Sequence, residues 1–322
     1  MDQFNIILPT ALEWHVSGIG AAVATVIRTW GSAPRPVGSQ LAVSGEGDIV
    51  GSVSGGCVEG AVIIEALNTL KTGRNVILEY GVSDEDAFAV GLACGGNIQI
   101  LVEPVGFGLS ETIVAELVCR CQRKEPVAYS IDIKSGVNKV ITLDIADGKK
   151  NVVTHTSGFY GAEFLVIYEK PLRMAVIGGV HIAQPLVSIA RMSGFAVMVI
   201  DPRSTFLNAI RFPNVELSNL WPDDALKAFK PDSRTAIITL SHDPKIDDLG
   251  LIEALYSNCF YIGCLGSKKT HSKRFDRLSK IVNSDVCLSR LHGPIGLNIQ
   301  SRTPTEIAIS IMAEVIQSLR VN

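Results

Sequence analysis

The sequence predicts an α/β protein in two parts, an N-terminal mixed α/β domain over residues 1–170 and a doubly wound parallel sheet over 171–322. Three observations carry that prediction. The first part holds short Val- and Ile-rich runs bounded by Gly, Ser and Asp, the pattern of strands and turns. The second part alternates apolar strand-like runs with helical patterns, as parallel strands joined by helices require. Between them, Lys170 and Pro171 punctuate the chain.

Strands are expected at 21–27, 40–43, 49–53, 76–79 and 98–102. A helix at 58–71 interrupts them, with Val58, Val62, Leu67 and Leu70 near helical intervals and Gly73 as its stop. A second helix follows at 111–123, then strands at 127–133, 140–143 and 163–168, so that the first domain reads as a mixed sheet with helices. In the second part, strands are expected at 174–177, 196–200, 235–240 and 260–262, with helices at 181–193 and 245–256. This is a Rossmann-like order of elements, with a cleft expected between the two domains. The last helix is marked by a capping box, Thr303 with Glu306, and by Pro304 at its first position.

Composition narrows the function classes. At 322 residues, 47% hydrophobic and 19% charged, the chain can build two ordinary cores and does not read as disordered. A net charge of −3 gives no basis for nucleic-acid binding. The seven cysteines are odd in number and form no disulfide framework, which fits a reducing compartment. No CxxC pair occurs, and Cys119 and Cys121 point to different faces of a helix, so structural zinc is not expected. The amino terminus lacks the basic start of a signal peptide, and no apolar stretch reaches the ~20 residues of a membrane span. A soluble, cytoplasmic protein is expected.

Two glycine-rich elements stand out in the first domain. The stretch TWGSAPRPVG at 29–38 is a loop between strands in which Pro34 and Pro36 hold Arg35 outward. The stretch GSVSGGCVE at 51–59 reads as strand, Gly-Gly turn and helix. Such a turn is expected to leave backbone N–H groups free past Gly55, Gly56 and Cys57, favouring an anion or a thiolate beside Ser54. Cys94 repeats the theme in ACGGN at 93–97. Cys57 and Cys94 are therefore the candidate thiols, each with packing as its plain alternative. In the second domain, GGVHIA at 178–183 follows a strand and approximates the dinucleotide turn G-x-G-x-x-G/A. Gly178 and Ala183 fit that template, but Val180 stands where the second glycine admits a pyrophosphate. Asp201 ends the next strand, 23 residues after Gly178, in position to hold a ribose hydroxyl. His242 and Asp243 lie past a strand's carboxyl end, where α/β sheets place ligands. The basic run GSKKTHSKR at 266–274 suits a phosphate or an acidic partner, with a solvated helix face as the alternative.

These motifs carry a resemblance. ATVIRTWGSAPRPVG at 24–38, GSVSGGCVEG at 51–60, and CGG at 94–96 leading to VEP at 102–104 resemble the amino-terminal domain of the XdhC/CoxI family of xanthine dehydrogenase accessory factors. DPR at 201–203, HD at 242–243, GCLGS at 263–267, LHGPIG at 291–296 and SRTPTEI at 301–307 resemble that family's Rossmann domain. The family's turn resembles G-x-G-H, from which Val180 departs.

The resemblance implies an accessory protein rather than a catalyst. Such a protein binds molybdenum cofactor in its molybdopterin form, assists its sulfuration and inserts it into a xanthine dehydrogenase-type apo molybdenum hydroxylase. On this reading Arg35 meets the pterin phosphate, and Cys57 or Cys94 is the molybdenum-facing thiol. The expected partners are the apo hydroxylase, a cysteine desulfurase and a second copy of the chain in a homodimer. The rival readings are an NAD(P)-dependent oxidoreductase, against which Val180 argues, and a sulfur-transfer enzyme centred on Cys57 or Cys94.

Overall fold

A computed structural model describes residues 4–31, 35–81, 96–143, 156–283 and 288–321. Cys94, Cys287 and Pro34 lie outside the described residues. The chain divides into two compact units, Asp2–Lys170 and Pro171–Asn322 with Met1.

The first unit runs α1 (Phe4–Val16), β1 (Ala21–Trp30), β2 (Gln40–Ser44), β3 (Ile49–Gly51), α2 (Glu59–Thr72), β4 (Val76–Tyr80), β5 (Asn97–Pro104), α3 (Glu111–Gln122), β6 (Val127–Asp132), β7 (Asn138–Thr142), β8 (Gly158–Tyr160) and β9 (Glu163–Tyr168). Two sheets form, ordered β3-β2-β1-β5-β4 and β7-β6-β9-β8. Every strand pairing in them is antiparallel, where the sequence suggested a mixed sheet. Strand β1 is central and buried on both faces, because successive side chains alternate. Ala21 and Val23 join the core of α1, α3 and the second sheet, whereas Ala22, Ala24 and Val26 pack towards α2.

Helix α1 was not expected from the sequence. Pro9 lies inside it and ordinarily argues against a helix interior. Burial of Ile7, Leu8 and Ala11 on one helical face holds it against the sheet all the same.

The second unit runs β10 (Leu172–Ile177), α4 (Ala183–Met192), β11 (Phe195–Ile200), β12 (Glu216–Ser218), α5 (Pro222–Phe229), β13 (Thr235–Thr239), α6 (Pro244–Tyr256), β14 (Tyr261–Cys264), α7 (Lys268–Leu278), β15 (Leu291–His292) and α8 (Pro304–Val321). All strands pair in parallel in the order β12-β11-β10-β13-β14-β15, which is the doubly wound order of a Rossmann sheet. Helices α4 and α8 cover one face through Leu186, Ala190, Ile311 and Val315. Helices α5, α6 and α7 cover the other through Leu226, Leu251, Ala254 and Leu278. The expected capping box closes the start of α8. Glu306 N–H donates to Thr303 Oγ1 at 3.3 Å, and Thr303 N–H donates back to Glu306 Oε2 at 3.1 Å. No helix among the described residues is long and apolar enough to cross a membrane.

Candidate functional site

In the first unit, the chain leaves β3 at Gly51, whose φ of 100° is left-handed and whose α-carbon leaves no room for a side chain beside the Gln40 carbonyl and Ile7. The turn that follows is organised by Glu59, the first residue of α2. Its Oε1 accepts from Ser52 Oγ at 2.8 Å and from the N–H groups of Val53, Ser54 and Gly55 at 3.2, 2.9 and 3.1 Å. Its Oε2 accepts from Gly56 N–H at 2.8 Å and from the Ser54 hydroxyl in a short hydrogen bond. Ser54 Oγ in turn accepts from Cys57 N–H and Val58 N–H, both at 3.0 Å.

The expectation of free N–H groups past Gly55, Gly56 and Cys57 is thereby corrected. The turn does favour an anion, but the anion is the chain's own carboxylate. Burial pushes the Glu59 carboxyl upward, yet donation from the Ser54 side chain and backbone and from Ser52 outweighs it and holds the group at about 2. The sequence carried a signal for this: an acid directly after the Gly-Gly-Cys-Val run, at the helix start where unsatisfied N–H groups gather.

The preset turn presents Cys57 half-buried, packed partly against the core of α2, and as a free thiol. Arg35 lies on the β1–β2 connection and is half-buried. Among the described residues no group of three or more His, Cys, Asp or Glu is arranged to hold a metal ion. A single thiol is thus what the described turn offers a soft metal. Glu103, a further buried acid, sits on β5 and accepts the Tyr129 hydroxyl at 2.7 Å. Burial dominates there and pushes its carboxyl up to about 8.

In the second unit, Gly178 follows β10 at the point where the sheet order reverses. Its φ is 104°, and a Cβ would lie 2.7 Å from the backbone nitrogen of Ser241 after β13, so only glycine lets these two loops meet. Val180 is half-buried against the α4 side of the core, and Ala183 is fully buried at the start of α4. Pro185 is the third residue of α4 and removes an N–H donor from the first turn, which a pyrophosphate would use.

Asp201 is fully buried and committed within the chain. Its Oδ2 accepts from Gly179 N–H at 2.9 Å, and its two oxygens take the Arg203 fork through Nε and Nη2, each at 2.8 Å. Burial opposes this charge, but the Arg203 and Gly179 donors hold the carboxyl below the usual range. Arg203 also stacks on Phe206, 4.1 Å from the ring centroid. The expectation that Asp201 stands ready for a ribose hydroxyl is therefore corrected: an arginine two residues on occupies it.

His242 follows β13 in a left-handed conformation, φ 64°, and is exposed. Asp243, expected beside a ligand, accepts Lys245 N–H at 2.9 Å as the N-cap of α6. The LHGPIG segment is held by Glu314 of α8, which accepts from Tyr261 Oη at 2.6 Å and lies 3.1 Å from His292 Nδ1. Cys264 is buried, and burial pushes its thiol up to about 12, so it is a packing residue. The structure thus groups Ser54, Gly55, Gly56 and Cys57 in one turn. It groups Gly178, Asp201 and the loop before His242 in another place, within the other unit.

An antiparallel α/β unit with a carboxylate-pinned Gly-Gly-Cys turn and a doubly wound parallel unit together define a two-unit α/β protein with a Rossmann-like half. The chain belongs to the XdhC and CoxI family: residues 14–81 match the XdhC and CoxI family, and residues 174–315 match the XdhC Rossmann domain. It is 29% identical over 314 residues to the molybdenum cofactor insertion chaperone PaoD of Escherichia coli, covering 98% of this chain and 88% of that protein. It is 28% identical over 336 residues to a probable xanthine dehydrogenase subunit of Bacillus subtilis, covering 99% and 98% of the two. A solved structure described as a xanthine dehydrogenase from Bacillus halodurans superimposes with a TM-score of 0.81 at 25% identity, over 100% of this chain and 97% of that one.

Proposed function

We propose that this chain binds molybdenum cofactor in its molybdopterin form, assists its sulfuration and inserts it into a xanthine dehydrogenase-type molybdenum hydroxylase. The observation that carries the reading is the likeness along nearly the whole chain to an insertion chaperone, joined to a turn that offers one half-buried thiol. In this reading the part over 1–170 holds the reacting end of the cofactor and the part over 171–322 supports transfer. Ser54, Gly55 and Gly56 set the turn through Glu59, and Cys57 meets the molybdenum, a pairing of soft ligand and metal. Cys94, outside the described residues, is the second candidate thiol. Arg35 takes the pterin phosphate, a charge-assisted contact suited to guanidinium. A cysteine desulfurase supplies the sulfur, the client is an apo hydroxylase, the chain acts as a homodimer, and the work is cytoplasmic.

The oxidoreductase reading is disfavoured by the commitment of Asp201 to Arg203. What comes off the protein purified from a cofactor-producing host decides between them. A fluorescent oxidised pterin is expected, and Arg35→Ala should lower its yield about tenfold or more while leaving the thermal midpoint within ~2 °C. Release of a nicotinamide dinucleotide with no pterin would overturn the proposal.

A further inference from the structure

The second unit contains a basic cavity that the function above leaves unused. It lies between the loop after β13, the start of α6 and one face of α7, has a volume of about 250 Å³, and is lined by His242, Asp247, Lys269, Lys273, Arg274 and Arg277, with Pro244 and Thr270. The sequence placed five cations in the stretch that becomes α7; the helical interval brings Lys269, Lys273 and Arg277 onto one face with Arg274 beside them.

Arg274 is the unusual member. It is 3% exposed, and although its Nη2 donates to the Leu265 carbonyl at 3.0 Å, its Nε and Nη1 are buried without a hydrogen-bond partner among the described residues. A buried guanidinium with two idle donors is costly unless something accepts from them. Asp247 stands 3.6 Å from Nη2, beyond a hydrogen bond, and its Oδ2 also lacks a partner while Oδ1 is taken by Ser241 Oγ at 2.7 Å. Arg277 is satisfied by Asp248 at 2.8 and 3.0 Å. Lys269 and Lys273 are exposed and make no ion pair among the described residues.

We infer that this cavity binds the phosphate group of a small-molecule phosphomonoester, with Arg274, Lys269 and Lys273 as its principal ligands. Four cationic side chains face two carboxylates, Asp247 and the Asp248 that neutralises Arg277, which leaves an excess of two positive charges for a dianion. A tetrahedral group with three free oxygens matches one guanidinium edge and two separate ammonium groups, where a planar carboxylate would leave donors idle. Burial pushes the Asp247 carboxyl upward from its usual value, against donation from Ser241 and the nearby Arg274 charge. The cavity is smaller than the ~300–1,000 Å³ that encloses a drug-sized ligand, so it grips the phosphate end and leaves the remainder outside.

Titration of the full-length protein with inorganic phosphate, read by calorimetry and by the rise in thermal midpoint, tests the inference. Saturable binding below ~1 mM is expected, weakened about tenfold or more in Lys269→Ala/Lys273→Ala, whose exposed positions leave the fold intact. Arg274→Lys, which keeps the charge and loses the fork, should weaken binding comparably. Absence of phosphate binding up to ~10 mM, or equal affinity in the double variant, overturns the site. Displacement of bound phosphate by AMP is expected, and bound phosphate that AMP does not displace overturns the assignment to a phosphomonoester. The inference is independent of the cofactor reading, since the pterin co-purification is unaffected by a failure here.

Discussion

Replacing Glu59 by Gln exchanges one carboxylate oxygen for an NH2 group that must face donors. Whichever way the amide turns, the new N–H groups confront either Gly56 N–H and the Ser54 hydroxyl, or Ser52 Oγ and the N–H groups of Val53, Ser54 and Gly55. The magnitude follows from the carboxyl's depression from 4.5 to about 2. At ~1.4 kcal/mol per unit that gives ~3 kcal/mol as an upper figure, and solvent at the exposed glycines screens it to ~2 kcal/mol. The folded value is the lower one, so this stabilisation is fully present above pH 4.5 and is lost as pH falls through about 2. For a unit of this size the expected fall in thermal midpoint at pH 7 is ~4–8 °C. Thermal scans of the full-length Glu59→Gln protein and its parent, followed by circular dichroism at pH 7, 4 and 3, measure it. A fall below ~1 °C at pH 7, or a difference that does not shrink as pH drops below 4.5, would refute the internal-anion account of this turn.

Three further outcomes are expected. Mass-spectrometric mapping of alkylation against time should find Cys57 labelled before Cys259 and Cys264, which burial both covers and keeps protonated; equal rates would make Cys57 a packing residue. Calorimetric titration with NAD should show weak binding, with Val180→Gly alone gaining less than tenfold because Arg203 still holds Asp201, and Val180→Gly/Arg203→Ala gaining more. Tight binding by the native chain would reverse that argument. Glu103 has its carboxyl raised to about 8, so the stability it allows is full below pH 4.5 and declines as pH rises through 8. Glu103→Gln should flatten the fall in midpoint between pH 5 and 8.5, and an unchanged pH profile in the variant would count against a protonated Glu103.

Much of this fold was legible in the amino-acid order, and the exceptions have particular causes. Helix α2 announced itself through Val58, Val62 and the Gly73 stop, and α8 through Thr303 and Glu306, because such signals are local in the chain. The alternation of β10, α4 and β11 likewise pointed to parallel strands. Helix α1 was hidden by Pro9, a local signal that pointed the wrong way and was overridden by burial of Ile7, Leu8 and Ala11. The short β12 and β15 offered too few residues for a pattern and exist because a neighbouring strand supplies their partners.

At the candidate sites the same division holds. Sequence by itself determined which residues stand at the Gly-Gly turn, at the departed dinucleotide turn and in the basic run of α7, since covalent order and period set those placements. Tertiary structure alone decided what each group bonds to. Glu59 fills the turn expected to await a ligand, Arg203 takes the Asp201 expected to await a ribose, and Arg274 is drawn into a cavity with two donors idle. Hydrogen bonds of this kind depend on distances of about 3 Å between groups whose spacing along the chain ranges from 2 residues to 22, and only the packed backbone brings them within reach.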